Sequence, residues 1–223
     1  MKPKPILFYH NVGEENHKSF STTDDFEYQM NFLYKRKLKG VDCDKLNDSK
    51  LNFGITFDDG YEDNLINALP VLKKFNFTAT CFIVPNLIGK TNSWDTKRFK
   101  LMDKVQIKDW LDAGMNIGSH SLNHVDLTKI NHDQIMLEIG DSKKILEDIF
   151  AVEIKNFCYP FGRFDKNTIK YVRQNGYLKA LTTKRGLYSN FNTKNFEIPR
   201  VPINKNITKF KFWLKTMTIY ENM

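Results

Sequence analysis

Cysteine is scarce in this chain, and long apolar runs are absent. The three cysteines, Cys43, Cys81 and Cys158, are widely spaced and form no Cys-x-x-Cys pair, so neither a disulfide framework nor a thiolate zinc site is indicated. The apolar run ILFY near the N-terminus is too short for the apolar region of a signal peptide or for a membrane span. We therefore expect a mature protein that starts at Met1 and lies in a reducing compartment, the cytoplasm.

Linkers rich in proline, glycine or serine, internal repeats and low-complexity segments are also missing, which predicts a single domain over residues 1–223. The 41% apolar content with 13% aromatics is enough for a sizeable core and excludes disorder. The 34 Lys and Arg against 26 Asp and Glu give a net charge of +8, which favours an anionic partner such as nucleic acid, an acidic glycan or an anionic membrane surface. Nucleic-acid binding is the weaker alternative, because the chain has no zinc finger, RNP-type motif or basic region followed by heptads.

What the chain does contain is an alternation of short β-rich runs with helical segments. β-Branched and aromatic residues gather in seven candidate strands, at 6–10, 53–57, 78–84, 115–119, 154–159, 179–183 and 197–203. Apolar residues recur at helical spacing at 24–38, 61–76, 104–113, 132–150, 165–175 and 206–220. Such alternation predicts a parallel sheet, and this number of β/α units without a linker predicts an α/β fold that closes, or nearly closes, into a barrel.

Chemically active residue types stand at or just beyond the ends of these strands. In β/α barrels the carboxyl ends of the strands share one rim, where the catalytic groups lie. We therefore expect these residues to lie near one another: His10, Asp58, Asp59, Pro85, His120, the run Pro160–Gly162 and Arg200.

The segment GSHSLNH suggests a metal site. It places His120 and His124 with three residues between them, a spacing compatible with two imidazoles on one cation. The pair alone is a weak signal, because either ring can simply be packed or exposed. Asp59 at a nearby strand end completes a set of two histidines and one carboxylate, which leaves a coordination position open, as catalytic sites do.

Asp58 adds a second carboxylate directly before Asp59. Capping of a helix N-terminus needs only one aspartate. If Asp59 binds the metal, Asp58 is free to act as the base towards a water molecule that the cation activates. Because side chains alternate along a strand, this division requires the backbone to leave the strand at Asp58, as Gly60 suggests.

The motifs TFDDG (56–60), HSLNH (120–124) and YPFG (159–162), in this order, resemble those of the polysaccharide deacetylases, carbohydrate esterase family 4. The resemblance extends from ILFYH to IPRVPI and implies a distorted (β/α)7-type barrel that removes acetyl groups from sugars. It also implies a divalent metal, zinc foremost and otherwise cobalt or nickel. By this resemblance Asp59, His120 and His124 are the metal ligands and Asp58 is the base.

The chain departs from the family pattern in two places. Cys158 stands where the family has an arginine, two residues before the proline; Arg200 in IPRVPI either pairs with Asp58 in its stead or forms an ordinary surface ion pair. The C-terminal L-x-H of the family, which supplies the acid, is missing, since no histidine follows His132.

The missing acid has one candidate at a strand end, His10 in ILFYH. This arrangement resembles the circularly permuted branch of the family, which includes exopolysaccharide deacetylases and has its acid motif near the N-terminus. We predict that His10 protonates the leaving amine. The alternative is a buried histidine that is bonded to a backbone carbonyl.

The YPFG motif offers a donor for the oxyanion that forms during amide hydrolysis, since a preorganised backbone N–H can stabilise that charge. Pro160 cannot donate but fixes its own φ, so the N–H of Phe161 is the candidate, and Gly162 turns the chain away. The alternative is a plain turn between strand and helix. Tyr159 and Pro160 are further candidates for contact with the substrate.

Aromatic side chains in loops are candidates for a platform on which a sugar ring stacks. Trp94, in the polar insertion 89–100, is the foremost of them; the others are Phe99, Trp110, Phe161, Phe164 and Tyr188. The segment 206–220 mixes lysines with apolar residues. It is either a terminal helix packed on the barrel or a basic amphipathic helix on the inner face of the membrane.

These features predict a metal-dependent hydrolase that removes an N-acetyl group from an amino sugar. By the family resemblance, its substrate is a bacterial surface glycan or a lipid- or nucleotide-linked precursor of one. The alternative is a catalytically silent glycan-binding protein of the same fold.

Overall fold

The computed structural model describes residues 4–14, 20–46, 51–189 and 194–222. In these residues eight parallel strands form one sheet, and two short strands pair beside it. The strands are β1 (Ile6–Tyr9), β2 (Asn11–Val12), β3 (Phe20–Ser21), β4 (Lys39–Val41), β5 (Asn52–Phe57), β6 (Thr80–Ile83), β7 (Asn116–Ser119), β8 (Asn156–Cys158), β9 (Lys179–Arg185) and β10 (Ile198–Pro202). The pair beside the main sheet consists of β2 and β3.

Seven of the strands close into a barrel. Their order is β1, β10, β9, β8, β7, β6 and β5, and β5 pairs with β1 to complete the ring, from Ile6 opposite Gly54 to Tyr9 opposite Phe57. These are the seven strands that the β-rich runs predict, with ends that differ by a few residues. The predicted α/β barrel is confirmed.

The strand β4 is not indicated by the sequence. Its residues, KGV, include a lysine and a glycine, both of which are depleted in strands. It pairs with the first half of β5, at Asn52 to Gly54, whereas β6 pairs with the second half, at Thr56 and Phe57. Because two strands share one edge of β5, the barrel is distorted at this point. Pairing with β5, rather than local propensity, makes this segment a strand.

The helices lie in the segments where apolar residues recur at helical spacing. They are α1 (Thr23–Tyr34), α2 (Leu69–Lys74), α3 (Lys104–Asp112), α4 (His132–Phe150), α5 (Lys166–Gln174) and α6 (Lys209–Met217), and a π-helical turn, Asn64–Ala68, leads into α2. Short 3₁₀ turns cover Pro85–Leu87, Pro160–Gly162 and Tyr220–Asn222. Within the described ranges, no helix has both the length and the apolar character needed to cross a membrane.

Side-chain caps set the points at which loops become helices. Asp103, Asn131 and Asp165 each accept a hydrogen bond from a backbone N–H three residues later, and the residue there bonds back to the cap, at the starts of α3, α4 and α5. Such reciprocal capping satisfies backbone donors that the helix leaves open. The loops that lead into α3, α4 and α5 therefore end at defined residues.

The pairing of β9 with β10 is irregular. Ile198 lies opposite Leu181, but Arg200 lies opposite Arg185, so β9 uses two more residues than β10 over this stretch. An irregularity of this kind bends a strand and redirects its side chains. Arg200 lies at this point and is completely buried.

The terminal helix α6 packs on the barrel with one face only. Phe212 is buried and its ring meets that of Phe32 with centroids 5.7 Å apart. The outward face exposes Phe210, Trp213 and Met217. This agrees with the expected terminal helix, and the association of 206–220 with a membrane stays a prediction.

We expect the Gly118→Ala variant to be less stable, because a Cβ at this position in β7 would lie 2.5 Å from the Phe82 ring and 2.8 Å from the Asn156 carbonyl oxygen. Overpacking of a core costs about 1–3 kcal/mol of unfolding free energy. Urea unfolding measures it, with Val105→Ala on an exposed helical surface as the control. An unchanged midpoint for Gly118→Ala would contradict the close packing at this strand.

Candidate active site

The base predicted from the sequence, Asp58, lies directly after β5 and is bound by Arg200 from β10. Both guanidinium nitrogens donate to the carboxylate, Nη1 to Oδ1 and Nη2 to Oδ2, each at 2.7 Å. Arg200 has an exposed fraction of 0% and Asp58 of 2%. The pair is therefore a buried bidentate ion pair, and the alternative of an ordinary surface ion pair is wrong.

This arginine determines the charge of Asp58. Burial raises the pKa of the carboxyl group, but the charge and hydrogen bonds of Arg200, together with the smaller effects of His120 and His10, hold the pKa below its ordinary value. Arg200 Nη2 also donates to Cys158 Sγ at 3.1 Å. The small cysteine side chain thus lies where the arginine from β10 reaches the base.

The three predicted metal ligands converge beyond the ends of β5 and β7. Asp59 Oδ1 lies 3.3 Å from His120 Nε2 and 3.3 Å from His124 Nε2. All three side chains are buried, yet Asp59 Oδ1 has no hydrogen-bond partner in the described part of the chain. A buried carboxylate oxygen that faces two imidazole nitrogens without a hydrogen bond fits a divalent cation such as zinc.

A second group, Asp58, His120 and Cys158, also has its potential ligand atoms within 4.8 Å of one another. It suits a cation less well. Both oxygens of Asp58 accept hydrogen bonds from Arg200, and burial raises the pKa of the Cys158 thiol, so the sulfur is protonated and a poor ligand.

The two imidazoles are held in different ways. His120 Nδ1 lies 2.7 Å from the Cys158 carbonyl oxygen, to which it donates, so Nε2 keeps its lone pair for a cation. His124 Nδ1 has no such partner among the described residues. Its ring is stacked on Trp94 at 3.8 Å between centroids and meets Phe161 edge-on at 4.6 Å. Aromatic packing, rather than a hydrogen bond, therefore orients His124.

A cavity of about 450 Å³ joins these groups at the rim of the barrel. It brings together His10, the base, the metal-ligand candidates, Trp94, Tyr159 and Phe161, whereas Pro85 does not line it. Three lining residues have no signal in the sequence that singles them out, because each is an ordinary polar residue beside a strand end or in a loop. These are Asp95, Thr183 and Asn204.

His10 lies directly after β1 and is half-buried. Its ring meets the Phe8 ring edge-on at 5.8 Å, and it makes no hydrogen bond to a backbone carbonyl of the described residues. The backbone of β1 is tied to the base, since Asp58 N–H donates to the Tyr9 carbonyl oxygen at 3.0 Å. The predicted acid and base thus flank the cavity from neighbouring strands.

The YPFG motif forms a tight turn at the cavity. Phe161 has φ 57°, a left-handed conformation that is uncommon outside glycine. At Gly162 a Cβ would lie 1.9 Å from Thr183 Oγ1, so only glycine fits. The turn directs Phe161 to the cavity; Pro160 is buried, and the Tyr159 hydroxyl donates to the Phe196 carbonyl oxygen at 3.1 Å.

The candidate stacking residues divide into two sets. Trp94 and Phe161 line the cavity. Trp110 and Tyr188 are buried in the core, with exposed fractions of 0% and 3%, so the expectation that they could stack on a sugar is wrong. Neither Phe99 nor Phe164 lines the cavity.

Three comparisons relate the chain to known proteins. A family model described as polysaccharide deacetylase matches residues 45–180. The Bacillus subtilis protein YxkH is 31% identical over 194 residues, which make up 83% of this chain and 66% of YxkH. The poly-β-1,6-N-acetyl-D-glucosamine N-deacetylase of Staphylococcus epidermidis is 26% identical over 220 residues, 90% of this chain and 75% of that enzyme. The chain therefore spans about two thirds to three quarters of the length of these relatives.

A solved structure has the same fold. The Streptococcus pyogenes deacetylase PplD matches with a TM-score of 0.84 and 24% identity, over 96% of this chain and 98% of that chain. At this identity the match shows the fold, a (β/α)7-type barrel.

We expect Asp59→Asn and His124→Ala to lose bound zinc, because each removes one of three side chains whose ligand atoms converge without hydrogen bonds. Asp58→Asn should keep it, since the Asp58 oxygens bond to Arg200. Elemental analysis after dialysis against zinc measures the metal content. Full zinc occupancy in Asp59→Asn, or loss of zinc in Asp58→Asn, would contradict this ligand set.

We expect Arg200→Met to lower the unfolding free energy by about 3–5 kcal/mol at neutral pH, because it leaves the Asp58 charge buried without a partner. In the native protein the lowered pKa of Asp58 contributes stability above the carboxyl's ordinary range, and this is lost as the pH falls. In Arg200→Met, stability should instead rise on acidification, because Asp58 becomes neutral. Urea unfolding between pH 4 and pH 8 shows whether the unfolding free energy of each protein rises or falls with pH. As a control, the double variant Asp58→Asn/Arg200→Met should be more stable than Arg200→Met at pH 8.

Proposed function

Because the chain belongs to the polysaccharide deacetylase family, we propose that it is a metal-dependent hydrolase that removes N-acetyl groups from amino sugars of a glycan. The observation that carries the proposal is the juxtaposition, in one cavity, of Asp58 bound by Arg200 and the cluster of Asp59, His120 and His124. A base beside three ligand candidates that would leave a coordination position open on a cation suits metal-assisted hydrolysis of an amide.

In the proposed reaction Asp59, His120 and His124 would hold a divalent cation, which when bound would lower the pKa of water and polarise the acetyl carbonyl. Asp58 accepts a proton from the attacking water as the new C–O bond forms. The Phe161 N–H stabilises the negative charge that develops on the carbonyl oxygen. His10 then donates a proton to the nitrogen as the C–N bond breaks, which yields acetate and a free amine.

The substrate proposal is a bacterial surface glycan built on N-acetylglucosamine, or a lipid- or nucleotide-linked precursor of it. It is supported by the similarity to the staphylococcal enzyme, which is named for poly-β-1,6-N-acetyl-D-glucosamine. Trp94 supports it too, because this half-buried indole lines the cavity beside His124. Zinc is the proposed metal, with cobalt or nickel as alternatives.

Two other functions are less well supported. A catalytically silent glycan-binding protein has no need of a base with a buried arginine next to three converging ligand candidates. Binding of nucleic acid along the cavity would use Lys and Arg contacts to phosphates, and none of the described residues that line the cavity is Lys or Arg. The cytoplasmic location and the membrane contact through 206–220 stay predictions, for which cell fractionation is the test.

We expect the zinc-loaded protein to release acetate from β-1,6-linked N-acetylglucosamine oligomers, and His10→Ala to lower kcat by about 10²–10⁴-fold, the range for loss of a positioned acid. Zinc content should stay unchanged, because His10 is not a ligand. Acetate release against substrate concentration measures kcat and KM.

The control for this variant is His132→Ala. His132 is exposed at the start of α4, contacts the Tyr171 hydroxyl at 2.8 Å and does not line the cavity, so its loss should leave the rate unchanged. A full rate in folded His10→Ala would contradict the assignment of the acid. No acetate from a panel of N-acetylated sugars, linked or free, would contradict the proposed function.

A further inference from the structure

We propose that Asn64 and Asp63 are positioning residues for His10: they hold the backbone segment 10–12 so that the imidazole lies where it can deliver a proton. This inference rests on the proposed function, in which His10 is the acid. The juxtaposition that supports it is between the segment directly after β1 and the π-helical turn Asn64–Ala68, which follows the TFDDG motif.

The His10 ring needs such a device, because no side chain in the described part of the chain is hydrogen-bonded to it and could orient it. Its imidazole makes an edge contact with Phe8 and no hydrogen bond to the residues that the structure describes. In many enzymes a third group orients the histidine that transfers the proton. Here the position of the ring depends on how firmly its backbone is held.

Asn64 holds that backbone directly. Its side chain is completely buried, and Nδ2 donates to the His10 carbonyl oxygen at 2.7 Å and to Asp63 Oδ1 at 3.0 Å. The amide oxygen faces the Cys81 thiol, with Oδ1 and Sγ 3.8 Å apart. A reversed amide would place its oxygen against two other oxygens, so the network fixes the orientation of Asn64.

Asp63 holds the two residues that follow. Its Oδ2 accepts from Asn11 Nδ2 at 2.9 Å, and its Oδ1 accepts from the Val12 N–H at 3.3 Å as well as from Asn64. From the same π-helical turn, Asn67 Nδ2 donates to the Val12 carbonyl oxygen at 2.7 Å. The backbone of His10 and Val12 and the side chain of Asn11 are thus bound by side chains of Asp63 and of the π-helical turn that follows it.

The π-helical geometry supports a functional interpretation. Such turns are rare and are frequently found at functional sites. This turn begins five residues after Asp59, so one stretch of chain carries the base, a ligand candidate and the residues that hold the acid. Relative movement of acid and base is thereby restricted.

The test compares two substrates that differ in their need for an acid. Amide hydrolysis must protonate the leaving nitrogen, whereas the 4-nitrophenolate of 4-nitrophenyl acetate leaves without a proton. For Asn64→Ala we expect kcat on N-acetylglucosamine oligomers to fall about 10–100-fold, as misplacement of a catalytic group causes. The rate on the ester, the KM for the oligomers and the zinc content should stay within about threefold of the native values on the same grounds.

The matched control is Asn52→Ala. Asn52 is also a buried amide, and its Nδ2 donates to a backbone carbonyl, that of Lys45, at 3.0 Å, but it lies at the start of β5, away from the cavity. Asn52→Ala should lower stability without changing the ratio of the rates on the amide and the ester substrates. Asp63→Asn is a second test variant, since its NH2 group would face either Asn11 Nδ2 or the donors of Val12 and Asn64, so that one set of donors loses its acceptor, and we expect the same selective loss. His10→Ala supplies the reference value for the ratio of the amide rate to the ester rate in a protein without the proposed acid.

The proposal would be overturned if Asn64→Ala and Asp63→Asn lost rate equally on the amide and the ester substrates. It would also be overturned if neither variant lost rate on the amide. If the native protein hydrolyses neither the oligomers nor other N-acetylated sugars, the proposed function fails, and ¹⁵N–¹H spectra of the His10 ring in the zinc-loaded protein decide the positioning question. Changed ring signals in Asn64→Ala but not in Asn52→Ala support positioning; unchanged signals in both overturn it.

Discussion

The barrel interior is organised around the ion pair of Arg200 and Asp58. Besides Asp58, Arg200 donates to Thr56 Oγ1 and to the Thr182 carbonyl oxygen, and its guanidinium lies 4.3 Å from the centroid of the Phe8 ring. One side chain thus links β1, β5, β9 and β10. Buried charges persist only where their hydrogen bonds are satisfied, so the relative position of these strands, and of the carboxylates at their ends, depends on this network.

The same ion pair has a chemical consequence. A carboxylate whose pKa an arginine keeps low is a weak base, so it suits a reaction in which a cation has already made the water acidic. The family pattern places this arginine at the position of Cys158. In the present chain the guanidinium arrives from β10 instead, and the small thiol leaves room for it. A guanidinium therefore still pairs with the carboxylate, although it comes from a different place in the chain.

Much of the fold follows from the sequence, because the period of the apolar residues fixes the seven barrel strands and the helices between them. The strand β4 does not follow, since KGV has no local preference for a strand and depends on pairing with β5. In the site, the motifs single out the polar side chains, but their geometry depends on backbone that no motif encodes. Asp59, Ser121, His124 and Phe161 all have positive φ, and Arg200 is placed by an irregular register between β9 and β10. Tertiary contacts decide both the positive φ values and the register between these two strands.

The ring closes through β1, which lies between β5 and β10. One neighbour of this strand lies about fifty residues away along the chain, and the other almost two hundred, as the pairs Leu7–Ile55 and Leu7–Val201 show. Contacts between such distant residues form late and slow the folding of a chain. During synthesis the ring can close only after β10 has emerged from the ribosome. Since His10 follows β1, Asp58 follows β5 and Arg200 belongs to β10, the closure that completes the ring also brings the guanidinium to Asp58.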